Sequence, residues 1–258
     1  MTALVDAPRR PTVWDTAEIA DDFVMWDDTV GWLLGYPSVF EQLRLPEPEV
    51  RVLLDLGCGP GKVARRAAED HDLRVHAVDL SPAMLAIAAA RYGHPRVSRH
   101  QAGGSDLSFL DDASVDAAMC NFVFVCVPHR DQARAIAAEV HRVLRPGGRF
   151  AILNAHPLHT GVTFDSFRIG RPGATYRAGE PMPVRLRQTD GTWVDIVDTY
   201  WPAESYHAML RESGFARTWQ TVPLPADAQR WHASDVTAER RWTTERTTPP
   251  FLVVIGEK

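Results

Sequence analysis

The chain has 258 residues, enough for one α/β core with additions, and its 45% apolar and 24% charged residues exclude a disordered or fibrous protein. Lys and Arg number 28 against 33 Asp and Glu, so the net charge of -5 offers no field for a phosphate backbone and speaks against a nucleic-acid partner. Cys58, Cys120 and Cys126 lack the paired spacing of zinc sites, so no metal is expected, and with neither an apolar leader nor a bilayer-length apolar run the sequence predicts a cytoplasmic protein with no membrane partner.

Residues 1–11, with Pro8, Pro11 and the Arg9-Arg10 pair, have no periodicity and read as a loose arm. Residues 12–45 are dense in Trp and apolar residues and predict short amphipathic helices, so that 1–45 forms an arm and helical cover on a main domain over 46–258. The apolar run 50–56 ends in glycines and predicts a buried strand, followed by a helix over 61–70 and a second strand over 73–78 ending at Asp79. Ser81-Pro82 opens the next helix, since Ser caps a helix start and Pro suits its first position; Met84, Leu85, Ile87, Ala88 and Tyr92 give it an apolar side. A weaker third strand over 96–100 and a fourth over 115–125 follow, then a helix over 132–144, an Arg-Pro-Gly-Gly stop and a fifth strand over 149–154. Such alternation implies parallel strands, right-handed crossovers and helices on both faces. Residues 156–200 break the rhythm and predict an insertion; a helix over 202–212, an extended run over 215–222 and a last strand over 251–255 resume it.

The sequence Asp55-Leu56-Gly57-Cys58-Gly59-Pro60-Gly61 stands between a strand and a helix, where glycines let backbone approach a ligand and the helix start offers free N–H groups. A triphosphate loop would need Gly six positions before Lys62 and Ser or Thr after it, but Leu56 and Val63 stand there. The dinucleotide spacing GxGxxG is also missing. Asp79, at the end of the second strand, stands where a carboxylate can accept hydrogen bonds from two ribose hydroxyls.

This loop resembles motif I of class I S-adenosylmethionine-dependent methyltransferases, small-molecule (type 11/25-like) branch. The resemblance continues through Gly104-Ser105-Asp106-Leu107, Asn121-Phe122-Val123 and the run at 141–148, and covers more than half of the chain. It implies a Rossmann-like fold with a mostly parallel seven-stranded sheet, an N-terminal helical cover and an insertion after strand five. It also implies S-adenosyl-L-methionine as cofactor, with S-adenosyl-L-homocysteine as product. Asp55 would anchor the cofactor's ammonium, and Gly57, Cys58, Gly59 and Gly61 would shape the loop. Asp79 would hold the ribose, Leu80 and Met84 would pack on the adenine, Asp106 and Leu107 would hydrogen-bond it, and Asn121 and Phe122 would line the transfer cleft. Where many relatives carry His-Arg, this chain has Tyr200-Trp201, which removes any role drawn from that pair.

Methyl transfer from a sulfonium is an in-line displacement with an activated donor, so positioning can supply much of the catalysis and a base is optional. His156 is the candidate auxiliary base, with His159 beside it in the acceptor region. Trp14, Trp26, Tyr36, Tyr176, Tyr200 and Trp201 are acceptor-pocket candidates, Trp32 is a further candidate for the cover, and core packing is the alternative for each. The expected acceptor is a small hydrophobic or aromatic molecule, methylated on O, N or C. The competing readings are a macromolecule methyltransferase, which would bring a basic surface or an Asn-Pro-Pro-Tyr motif in place of Asn121-Phe122-Val123-Phe124, and a protein of this fold that binds the cofactor without methylating.

Overall fold

The computed structural model describes residues 12, 14, 16–232 and 242–258; the arm over 1–11 lies outside the described residues. The chain first lays down α1 (Ala17–Val24), a single π-helical turn (Gly31–Gly35) and α2 (Tyr36–Gln42). The alternating core follows: β1 (Val52–Leu56), α3 (Lys62–His71), β2 (Arg74–Asp79), α4 (Pro82–Arg91), β3 (Val97–Gln101), β4 (Val115–Asn121), α5 (Arg130–Val143) and β5 (Leu144–Ala155). The insertion supplies β6 (Phe167–Ile169), β7 (Pro181–Arg187) and β8 (Trp193–Thr199), and the chain closes with α6 (Ala203–Glu212), β9 (Arg217–Thr221), α7 (Pro225–Ala228) and β10 (Phe251–Glu257).

Seven strands form one sheet in the order β3-β2-β1-β4-β5-β10-β9, parallel except for β10, which runs antiparallel to both neighbours. All five residues of β1 are buried, because a central parallel strand is covered on both faces. Leu53 packs in a core with Ala64 and Ala67 of α3 and Val39 of α2, whereas Leu54 packs in a second core with Ala133, Ile136, Ala137 and Val140 of α5 and Met209 of α6. Adjacent side chains of one strand thus build two cores, one on each side of the sheet. Ser81 caps α4 as its residue type dictates, its Oγ accepting from the Met84 N–H at 3.2 Å.

β1 lies between β2 and β4, so the crossovers leave its two sides in opposite directions and the strand ends open a crevice there. β4 stops at Asn121, short of the apolar run that predicts a strand to 125. Phe122 takes φ 60°, and a 3-10 turn over Phe124–Cys126 replaces the end of the strand. β5 begins earlier than predicted, at Leu144, and absorbs the Arg-Pro-Gly-Gly stop.

The insertion forms its own antiparallel sheet in the order β6-β7-β8. The N-terminal cover is tied to it: Thr12 N–H donates to Val197 O at 2.8 Å, Asp27 N–H to Arg187 O at 2.8 Å, and Trp26 pairs with Gln188 as an isolated bridge. Cover and insertion together roof the crevice. Among the described residues no helix is long and apolar enough to cross a membrane.

Candidate active site

The loop after β1 is fixed from below by Val78, whose carbonyl accepts from the N–H groups of Gly57 at 2.7 Å and Cys58 at 3.0 Å. Gly57 has φ 70°, and a Cβ there would fall 2.1 Å from Val123 Cγ2, so the turn after β4 presses against the loop. Gly59 has φ 51° and a different reason to lack a side chain: a Cβ would meet only Phe23, at 3.7 Å, and would otherwise occupy open space at the cavity wall.

Asp79 accepts from Gly59 N–H at 2.8 Å through Oδ2 and from Ser81 N–H at 2.8 Å through Oδ1. A carboxylate has about four acceptor positions, so two remain for a ligand diol. Burial raises the Asp79 carboxyl above the usual range, offset in part by the amides of Ser81, Gly59 and Leu80. Asp55, at the middle of the sheet, is 2% exposed, and its Oδ2 has no hydrogen-bond partner among the described residues. Burial, and then the charge of Asp79, push its carboxyl up to about 8. An orphaned buried carboxylate oxygen under a glycine loop fits a cationic ammonium, which would relieve both effects.

From this loop a cavity of about 950 Å³ runs under the roof. Small-molecule sites span about 300–1,000 Å³, so there is room for an adenosyl cofactor and a small partner together. Gly57, Gly59, Asp79, Leu80 and Met84 line one end, with Leu80 at 71% exposure on the rim, and Asn121 and Phe122 line the middle. Both amide atoms of Asn121 are buried without a partner among the described residues, a state that costs about 1–3 kcal/mol unless a ligand meets them. Trp14, Phe23 and Trp26 enter from the cover; Val184, Leu186, Ile196, Asp198 and Thr199 enter from the insertion.

Several predicted site residues stand elsewhere. Asp106 is exposed, closes an Asx turn onto Ser108 N–H at 3.2 Å, and does not line the cavity. Leu107 N–H donates to Glu139 Oε2 at 3.1 Å, which removes the amide expected to meet adenine. That wall is built instead by Ala102, Gly103, Gly104 and Ser105, with Ile136 of α5. Asp55, Cys58 and Gly61 are also absent from the lining: Asp55 lies in β1 beneath the loop, the Cys58 thiol points to Gly59 O at 3.7 Å, and Gly61 caps α3.

His156 lies outside the cavity lining and is 6% exposed; its Nδ1 accepts from Leu158 N–H at 3.3 Å, capping a 3-10 turn. Burial, with His159 adding to it, lowers its pKa to about 4, and the residue expected as auxiliary base stands in this structure as a turn cap off the cavity wall. His159 packs on the His156 ring at 4.6 Å. Tyr36 donates to Asp28 Oδ2 at 2.7 Å with Trp32 packed on it, and Trp201 donates from Nε1 to Val127 O at 3.0 Å, so both Tyr36 and Trp201 are core struts. Tyr176 accepts from Arg171 N–H at 3.0 Å and packs on Tyr200, which borders a separate void of about 30 Å³. The sequence reading missed Asp198, whose only signal was an acid at the end of a short alternating run.

Comparison with known proteins agrees with this geometry. Residues 53–148 match the family described as "Methyltransferase domain". An N-demethylindolmycin N-methyltransferase of Streptomyces griseus is 35% identical over 222 residues, covering 84% of this chain and 93% of that protein. An O-methyltransferase of Aspergillus sclerotiorum is 36% identical over 174 residues, or 57% of this chain and 64% of that one. The crystal structure of an S-adenosylmethionine-dependent methyltransferase from Mesorhizobium loti aligns with TM-score 0.53 at 25% identity, over 85% of this chain and 97% of that chain. The chain therefore belongs to the class I S-adenosylmethionine-dependent methyltransferases. Within that class it falls in the type 11/25 branch: it is an enzyme that transfers a methyl group from S-adenosylmethionine to a small molecule. No group of His, Cys, Asp and Glu among the described residues could hold a metal ion.

Proposed function

We propose that the enzyme methylates a heteroatom of a compact, largely apolar or aromatic molecule, releases S-adenosylhomocysteine, and catalyses the step mainly by positioning and exclusion of water. The observation that carries this reading is the single cavity that joins the glycine loop to an aromatic roof. When bound, S-adenosylmethionine supplies a methyl group already activated on a sulfonium. Asp55 would take its ammonium from beneath the loop and Asp79 its ribose hydroxyls, while Gly59 would leave space for the methionine chain and Met84 would pack on the base. Trp26 and Phe122, with ring centroids 5.6 Å apart, wall the middle of the cavity and keep water from the transfer point. Holding two reactants in line is worth up to about 7–11 kcal/mol of the barrier, so a well-shaped apolar site can carry most of the rate.

The relatives named for N- and O-methyl transfer support a nitrogen or oxygen acceptor. The net charge of -5 supports an acceptor other than nucleic acid, and the three free thiols support a reducing, cytoplasmic setting. The test is a methyl-transfer assay on paired amines, alcohols and phenols of one ring skeleton, read by release of S-adenosylhomocysteine. Transfer to members of the panel is expected. Transfer only to RNA, DNA or a protein would overturn the reading.

A further inference from the structure

The cavity also carries a polar group that the methyl-donor loop does not use, on the wall it shares with the small void beside Tyr200. Asp198, at the end of β8, is 8% exposed, lines the cavity, and has no hydrogen bond or ion pair to its carboxylate among the described residues. Its neighbour Thr199 also lines the cavity, and its Oγ1 is buried without a partner. The neighbouring strand residues are apolar: Met182 pairs with Asp198 across β7 and β8, and Val184 and Ile196, the next pair on that face, line the cavity. The titratable groups around Asp198 are the Cys126 thiol from the turn after β4, the Tyr206 phenol from α6, and Tyr200, which borders the small void with Asp198 and Tyr206, while His129 lines the same cavity; burial pushes Cys126 and Tyr206 up and keeps them neutral. The charge of Asp198 acts on Cys126 more strongly than that of Asp79, and all three residues line the one cavity. Trp14 hydrogen-bonds the Cys126 thiol, which fixes the turn against the cover.

A lone carboxylate in an apolar pocket asks for a donor that brings positive charge or an acidic hydrogen. We propose that Asp198 is the acceptor-facing base of this enzyme and that the acceptor is accordingly an amine, whose N–H hydrogen-bonds the Asp198 carboxylate. This rests on the functional reading given above and narrows its acceptor class. The amine arrives protonated and gives one proton to Asp198, which frees the nitrogen lone pair. That pair forms the N–C bond as the C–S bond breaks, and the electrons of the broken bond remain on sulfur as a neutral thioether. The methylated nitrogen carries the positive charge away, and Asp198 returns its proton to water through the cavity mouth. Burial alone raises the Asp198 carboxyl to about 7, so it can both accept and release a proton near neutrality.

The test pairs tryptamine with tryptophol and benzylamine with benzyl alcohol, using the wild-type enzyme and Asp198→Asn, which keeps the side chain's shape. The expected result is a preference for the amine of each pair and a loss of about 10²–10⁴-fold in kcat/KM for amines in D198N. The rising limb of the wild-type pH profile near neutrality should be absent in D198N. Calorimetry supplies a readout independent of turnover: S-adenosylhomocysteine should bind both proteins equally, while benzylamine binding to the product-loaded enzyme should weaken at least tenfold in D198N. Unchanged amine kinetics and binding in D198N, or transfer to the alcohols alone, overturns the inference while leaving methyl transfer intact. No transfer to any small molecule by cofactor-loaded enzyme would defeat the functional reading and this inference together.

Discussion

Asp79 braces the loop, holding Gly59 N–H at 2.8 Å, and in the proposed reading it also accepts from a ligand diol. Asp79→Ala removes both, and with charge-assisted hydrogen bonds at about 1.5–3 kcal/mol each, cofactor affinity should fall at least ~10-fold. Asp79→Asn keeps one acceptor oxygen for the brace and should fall less. Calorimetry on folded variants decides it, and unchanged affinity in D79A would take the residue out of the site. His156 carries the opposite expectation. As a neutral turn cap outside the cavity lining, it can be replaced by Ala with a loss of turnover below ~10²-fold, the lower bound for an essential base. A larger loss in an equally stable variant would restore it to the chemistry.

At the scale of elements, the glycine loop and the roof make separable predictions. Gly57→Ala forces a Cβ to 2.1 Å from Val123 and should unfold the loop, lowering both stability and cofactor binding. Gly59→Ala meets open space and costs only the ~1–2 kcal/mol of a left-handed backbone, so it should fold and yet bind cofactor poorly. Thermal melts alongside calorimetry separate the two. Trp26 links three pieces: its Nε1 donates to Ser166 O at 3.4 Å in the insertion, its ring packs edge-on to Phe122, and it lines the cavity. Trp26→Ala should cost about 3–5 kcal/mol of stability as well as acceptor binding, whereas Trp26→Phe should recover most of the stability and show a raised KM for acceptor. Equal KM in W26F and wild type would make the residue purely structural.

The alternating elements were legible because each buried strand ends in a local signal that needs no distant partner: glycines after Leu56, Asp79 with Ser81-Pro82, and Asn121. The loop glycines and Asp79 were legible for the same reason. Phe122 was not, because a positive φ on a bulky residue is imposed by the fold and leaves no trace in propensity. Leu107 departs from the expectation because its amide is taken by Glu139, 32 positions away, and Asp106 because it turns outward to close its own loop onto Ser108. Tyr36 and Trp201 bond their polar tips just as Trp26 does, to Asp28 and Val127 O against Ser166 O, and differ from it in standing off the cavity wall, which only the packed fold decides. Asp198 was hidden because an acid at the end of an alternating strand is ordinarily solvated; only the docking of the insertion onto the crevice buries it.

At the scale of the molecule, desolvation raises four carboxyls: Asp28 to about 7, Asp55 to about 8 and Asp198 to about 7, with Asp79 raised in the same direction. In the unfolded chain each ionises near 3.8, so above that pH the folded state binds more protons than the unfolded state. Their contribution to stability is complete below 3.8 and is lost as pH rises through 7 to 8. Neutral buried His156 has the opposite sign, gaining stability between about 4 and 6.5, so the decline is cleanest above 6.5. Cofactor-free enzyme should therefore melt at lower temperature as pH rises from about 6.5 to 8. The slope should be shallower in Asp55→Asn and shallower again with S-adenosylhomocysteine bound, because a cation at Asp55 removes the penalty for its charge. A melting temperature that rises over this range would contradict the burial of these groups.

The central claim is that one roofed cavity holds donor and acceptor together, with Asp79 serving the donor. It is tested most directly by incubating the enzyme with S-adenosylmethionine carrying a deuterated methyl group and the amine panel, and following both products by mass spectrometry. The prediction is that S-adenosylhomocysteine and amine bearing the intact deuterated methyl form in equal amounts, and that both fall together in D79A. Tight cofactor binding with no labelled product from any small acceptor would contradict it.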